Sequence, residues 1–225
     1  DPTSERDDTL LRRALAARKS SSGRNFFDSV GPEWDALRRV FGDDLLRARA
    51  TMMLVQPGLR VADIGTGTGV LALELAELGL DVIGIDRSEA MLEAARQKWQ
   101  ALDHGESGSV EFRVADAHDL PLESNSVDAA FAHMVLHSLE EPGRAIAEMA
   151  RIVKPGGRVI LVDFMRHDHV WMKQELGLLC LGFAPDTLNT WLHTAGLESP
   201  RILQLEPDAT TDLPPIFVVV SRHPE

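Results

Sequence analysis

The chain holds a single cysteine, Cys180, among 225 residues, so no intrachain disulfide can form and no thiolate cluster is available to hold a soft metal. No apolar run approaches the ~20 residues that span a bilayer, and the charged N-terminus does not read as a signal peptide, so a cytoplasmic setting is expected. Internal repeats and low-complexity tracts are also lacking. Basic residues are in deficit: 23 Lys and Arg face 35 Asp and Glu, a formal net charge of −12. Residues 1–60 sum to +2 and the remainder to −14. Binding a polyanion requires a basic surface that displaces counterions, so the acidic part is not expected to take nucleic acid. His167, Asp168 and His169 are adjacent, so their side chains diverge, and no third spaced ligand accompanies them; no metal site is expected. The chain starts at Asp1 without a methionine, and further sequence upstream is expected.

What is present is enough apolar content, 44%, to bury a full α/β core. The organising stretch is Val61-Ala-Asp63-Ile-Gly65-Thr66-Gly67-Thr-Gly69-Val70. A short apolar strand ends in an acid, three glycines follow on alternate positions, and a helical pattern begins at Val70. Glycine accepts positive φ and carries no Cβ, so a ligand could lie against this turn. Asp81 to Asp86 is a second apolar strand closed by an acid, near the ~20-residue offset at which such an acid reaches ribose hydroxyls. The dinucleotide fingerprint G-x-G-x-x-G is not met, since the third glycine comes one residue early. The carboxylate of Asp63 would also repel a pyrophosphate, whereas it suits a ligand bearing an ammonium group.

In these residues the chain resembles the class I S-adenosylmethionine-dependent methyltransferases, whose first motif is an acid, any residue, then G-x-G-x-G. The resemblance implies a Rossmann-like α/β fold, a seven-stranded, mostly parallel sheet with helices on both faces and an antiparallel last strand. It implies S-adenosylmethionine as cofactor, S-adenosylhomocysteine as product, and in-line transfer of a methyl group to a small-molecule acceptor. The run Arg151-Ile-Val-Lys-Pro-Gly-Gly157 is similar to the family's loop before the fifth strand. The general likeness is to the small-molecule group that includes the quinone C-methyltransferases. Residues Leu11 through Asp35 resemble the junction joining ArsR-type winged-helix repressors to methyltransferase domains. That likeness keeps a second reading open, a cofactor-sensing regulatory module attached to a DNA-binding domain.

Further expectations follow the chain. Residues 1–56 are read as an N-terminal helical segment and cofactor lid, with helices over Thr3 to Lys19 and Asp43 to Leu54, and 57–225 as the catalytic domain. Phe27 is a candidate cover for the cofactor, and Trp34 for the acceptor. The helix from Val70 directs free N–H groups at the ligand. Ser88 is read as the N-cap of a helix carrying Met91, which with Arg87 would flank the adenine if Asp86 holds the ribose. A strand from Val110 ends in Asp116-Ala117, similar to the family's acidic turn at the adenine amino group. In an open parallel sheet, Asp63, Asp86 and Asp116 would converge outside the carboxyl ends of the strands. After a fourth strand, Val127 to Ala132, His133 is a candidate both for packing beside the methionine moiety and, with His137, for a catalytic role. His137 is a candidate general base, because imidazole titrates near neutrality. The four-residue Asn-Pro-Pro-Tyr and Asp-Pro-Pro-Tyr motifs of nucleobase methyltransferases are missing here. Strand five is read as Arg158 to Phe164, and 165–184 as a substrate-cover insertion with Trp171 and Phe183 lining the acceptor pocket. Cys180, between leucines, is read as an inert thiol. A helix from Pro185 and a closing hairpin, Arg201 to Glu206 with Ile216 to Ser221, complete the chain. The partners expected are a small-molecule acceptor, no nucleic acid on the methyltransferase domain itself, and no membrane, with a homodimer left open.

Overall fold

The computed structural model describes residues 55–102, 108–176, 178–207 and 213–225. The helices expected before Val55, with Phe27 and Trp34, lie outside the described residues. The elements run β1 (Arg60–Ile64), α1 (Val70–Glu77), β2 (Asp81–Asp86), α2 (Glu89–Ala101), β3 (Ser109–Val114), β4 (Val127–His133), a 3₁₀ turn (Leu136–Ser138), α3 (Pro142–Ile152), β5 (Val153–Phe164), α4 (Trp171–Leu176), α5 (Pro185–Thr194), β6 (Glu198–Leu205) and β7 (Ile216–Arg222). They form one seven-stranded sheet in the order β3-β2-β1-β4-β5-β7-β6. Strands β1 to β5 are parallel, and β7 runs antiparallel to both β5 and β6. The expected mostly parallel sheet with an antiparallel last strand is the one observed.

Central strands of such a sheet are covered on both faces, which is why β1 and β2 read as near-continuous apolar runs. Along them the side chains alternate between two cores. Val61 and Val82 join Ala72, Leu75 and Ala76 of α1 on one face. Ala62, Ile64, Ile83 and Ile85 join Ile146 and Met149 of α3 and Leu188 and Leu192 of α5 on the other. The chain winds outward through β1, β2 and β3, then returns to lay β4 against β1. That reversal opens a crevice between the carboxyl ends of β1 and β4, the place where sheets of this kind hold ligands.

Helix boundaries follow local chemistry. Ser88 caps α2, its Oγ accepting from Met91 N at 3.3 Å. Pro142 and Pro185 open α3 and α5 where the missing N–H costs nothing. Beyond α5, Gly196 takes φ +76, and Leu197 N bonds back to Leu192 O, a left-handed stop.

Strand five differs from expectation. It begins at Val153, which pairs with Val127 before the register shifts. The run Lys154 to Gly157, expected as part of a loop before strand five, is strand-bonded instead because Gly156 N donates to His223 O and His223 N to Gly157 O. Strand six likewise begins at Glu198, opposite Arg222, with a register shift before Arg201.

Candidate active site

Main-chain hydrogen bonds fix the turn after β1. Gly65 N and Thr66 N both donate to Ile85 O, at 2.8 and 3.0 Å, and Gly69 N donates to Thr66 O. Gly65 has φ +72, and a Cβ there would come 2.4 Å from Val135 Cγ2, so this glycine lets the turn lie against the segment after β4. Gly67 differs: at φ +53 its missing Cβ would meet nothing within 4 Å, which leaves main chain facing open space. Helix α1 then starts with no side-chain cap, so its first N–H groups are not spent on a side chain.

Three acids end β1, β2 and β3 in different states. Asp86 is held by main chain, Oδ2 accepting from Gly67 N at 2.9 Å and Oδ1 from Ser88 N at 2.8 Å, and so ties the glycine turn to the start of α2. Asp116 accepts at Oδ1 from His118 N at 2.8 Å and from His118 Nδ1 at 2.5 Å. These contacts, the main-chain one foremost, hold its carboxyl below the usual range. Asp63 is 2% exposed. Burial pushes its pKa up to about 6, partly offset by the Thr66 hydroxyl and reinforced by Asp86. Neither Asp63 Oδ2 nor Thr66 Oγ1 completes a hydrogen bond of standard geometry. A buried carboxylate without a donor is costly, and an ammonium group brought to it would relieve that cost.

A cavity of about 620 Å³ opens beside this turn, within the range of small-molecule sites. Gly65, Gly67, Asp86, Arg87, Met91, Asp116 and Ala117 line it, so seven of the expected cofactor residues are brought together. Asp63 and Thr66 sit buried behind the turn. Sequence reasoning did not single out His118 or the Met134-Val135 and Ser138-Leu139-Glu140 segments, which also line the cavity. Helix α3 positions the acidic turn from behind. Arg151 pairs with Glu148 at 2.7 Å and donates to Leu120 O and Leu122 O, while Glu148 accepts from Leu120 N.

A second cavity, about 350 Å³, shares Leu139, Glu140 and Leu179 with the first. Phe183 lines it with Trp191, the rings edge to face at 5.4 Å. Trp171 is 37% exposed and lines neither cavity. Helix α4 instead turns Met172, 2% exposed, into the core. His133 is also exposed and lines neither cavity.

His137 lines neither cavity but lies in the turn between Val135 and Ser138, which line the first. Its Nδ1–H donates to Asp163 Oδ1 at 2.8 Å, its main-chain N donates to Asp163 Oδ2 at 3.2 Å, and Phe164 N also donates to Oδ1. Asp163 is fully buried, so the ring is fixed with Nε2 as the available nitrogen. Leu179 N and Cys180 N, from two residues lining the second cavity, donate to His137 O. Asp163 was missed by sequence reasoning, although an acid inside the apolar run Val159 to Phe164 was a readable signal. Cys180 is half-buried, and desolvation together with Asp163 pushes its thiol up, which fits an inert role. Among the described residues no group of side chains is arranged to hold a metal ion.

These groups match a ligand in parts. The orphaned Asp63 carboxylate suits an ammonium, the uncapped start of α1 a carboxylate, Asp86 a pair of hydroxyls, and Asp116-Ala117 the edge of a base.

Comparison with known proteins identifies the family. The family described as methyltransferase domain matches residues 62–161. A demethylmenaquinone methyltransferase of Clavibacter sepedonicus is 30% identical, over 84% of this chain and 87% of its own length. The ubiquinone/menaquinone biosynthesis C-methyltransferase UbiE of Pseudomonas entomophila is 32% identical, over 87% of this chain and 79% of its own. A solved SAM-dependent methyltransferase of Methanosarcina mazei superposes with a TM-score of 0.63 at 24% identity, covering 76% of this chain and 95% of that one, a likeness of fold.

Proposed function

Because the chain belongs to the class I S-adenosylmethionine-dependent methyltransferases, we propose that it methylates a quinol-type phenol on a ring carbon with His137 as proton acceptor. The relatives that act in quinone biosynthesis support the acceptor class. The observation that supports the residue roles is the Asp163–His137 hydrogen bond, in a turn whose His137 carbonyl holds Leu179 and Cys180 of the second cavity's lining.

S-adenosylmethionine, when bound, supplies a methyl group activated by the positive charge on its sulfur. Asp86 would hold the ribose, Asp116 and Ala117 the adenine edge, Asp63 the ammonium, and Arg87 and Met91 would flank the base. No donor or acid need activate the methyl, so the chain's work is alignment and proton removal. The acceptor hydroxyl gives its proton to Nε2 of His137, and buried Asp163 stabilises the imidazolium that results. The phenolate electron pair moves into the ring, and the ring carbon forms the new carbon–carbon bond. The ring carbon then gives up its hydrogen as a proton while the oxygen takes one back, which restores the aromatic phenol, so one proton leaves overall and passes from His137 to water.

The excess of acid beyond residue 60 supports a small molecule rather than nucleic acid as the partner of this unit. No described helix is long and apolar enough to cross a membrane.

The test is turnover with a panel of quinols and phenols, read as S-adenosylhomocysteine formed. His137→Gln is expected to lower kcat by about 10²- to 10⁴-fold while the Kd for S-adenosylhomocysteine stays within about twofold. Undiminished turnover in that variant would remove His137 from the mechanism.

A further inference from the structure

The second cavity carries a charge pattern that the proton-transfer reading does not use. Its walls are largely apolar, with Leu139, Leu179, Phe183 and Trp191, yet Arg166 and Glu140 also line it. Both are exposed, and neither forms an ion pair or side-chain hydrogen bond among the described residues. Some other cations of this acidic chain do find carboxylates, as in Arg151–Glu148 and Lys154–Asp128 at 2.7 Å each. The main chain of Arg166 is nonetheless firmly placed. Its N–H donates to Phe183 O at 3.0 Å, Met165 bridges to Phe183, and Gly182 passes so close that a Cβ would lie 2.2 Å from Met165 O. Glu140 belongs to the wall shared with the cofactor cavity, while Arg166 lines only the second one.

We infer that the second cavity selects an aromatic acceptor bearing an anionic substituent, held by Arg166, with a hydroxyl turned toward Glu140 and the methyl donor. The inference rests on the methyltransferase reading and narrows its acceptor. A planar guanidinium binds a carboxylate through two parallel hydrogen bonds. The aromatic walls take a flat ring, and about 350 Å³ admits a two-ring body. Glu140 reinforces the orientation, since at the wall shared with the cofactor cavity it repels an acid. An acceptor with its two polar groups at opposite ends would therefore enter in one direction only.

The experiment uses the full chain saturated with S-adenosylhomocysteine and two probes of equal shape, 6-hydroxy-2-naphthoate and 6-hydroxy-2-naphthamide. Calorimetry is expected to give the naphthoate at least about tenfold tighter binding, which is 1.4 kcal/mol. Arg166→Gln is expected to erase the preference, and Arg166→Lys to restore part of it, with the affinity for S-adenosylhomocysteine unchanged in both. Equal binding of the two probes, binding of neither, or a preference that survives Arg166→Gln overturns the inference. Loss of S-adenosylhomocysteine binding by the unaltered chain would instead strike the methyltransferase reading itself.

Discussion

At the scale of single residues, Asp63 concentrates the tension between stability and binding. Its carboxyl is buried with one oxygen lacking a donor, and its pKa rises from 3.8 to about 6. A raised acid binds its proton more tightly folded than unfolded, so stability is lost as pH climbs from about 4 through about 6, and the penalty stays constant above. Two units correspond to roughly 3 kcal/mol. Asp63→Asn is therefore expected to make the ligand-free protein more stable by about 1–3 kcal/mol at pH 8, with little difference at pH 4. The same change should weaken S-adenosylmethionine binding, because the ammonium loses its counter-charge. Urea unfolding at the two pH values, followed by a binding titration, checks both halves; an Asn variant less stable than its parent at pH 8 would contradict the account. Gly65 and Gly67 show a related division. The first is glycine because Val135 occupies the place of its Cβ, and the second because nothing does, so spacing alone gave them the same meaning and packing gives them different ones.

At the scale of elements, the helix α3 that follows β4 does more than cover the sheet. Arg151 donates to Leu120 O and Leu122 O and pairs with Glu148, which itself takes Leu120 N. The acidic turn carrying Asp116 and Ala117 is thus braced by a helix remote in sequence. Arg151→Ala is expected to cost about 2 kcal/mol, since charge-assisted bonds to carbonyls are lost together, and to raise the Kd for the adenosyl ligand severalfold; chemical unfolding and calorimetry measure the two. Full stability in that variant would show the brace to be incidental. Parts of the site that rest on local chemistry were legible in the sequence. Glycine spacing, strand-ending acids, the Ser88 cap and the helix-opening prolines each act within a few residues. What escaped depends on contacts across the sheet. Asp163 meets His137 from the neighbouring strand, Trp191 meets Phe183 from α5, and Leu179 joins both cavities only because its N–H reaches His137 O. Trp171 failed as a pocket residue for a packing reason, since the short helix α4 could bury only one side and Met172 took it.

At the scale of the whole molecule, the cofactor cavity is assembled from crossovers that leave one end of the sheet. The turn after β1, the Asp86–Ser88 corner, the Asp116 turn after β3 and the segment Met134–Glu140 after β4 all line it. Among the described residues, those of β6 and β7 line neither cavity. It completes the sheet by pairing β7 with β5 along Arg158 to Phe164, and Phe217 and Val219 fill the core beneath. A ligand that touches every crossover binds the folded state alone, so at one hundred times its Kd it should add about 2.7 kcal/mol to global stability. The local effect should be uneven. Amide exchange in saturating S-adenosylhomocysteine is expected to slow for Gly65 to Gly69, Ala115 to His118 and Met134 to Leu139 beyond that global increment. Amides of β6 and β7 should slow only as far as global unfolding limits them, because that hairpin gains no contact. Slowing spread evenly over hairpin and crossovers would mean that the ligand tightens the sheet as a whole, and slowing confined to the turn after β1 would mean that the acids of β2 and β3 do not share the ligand.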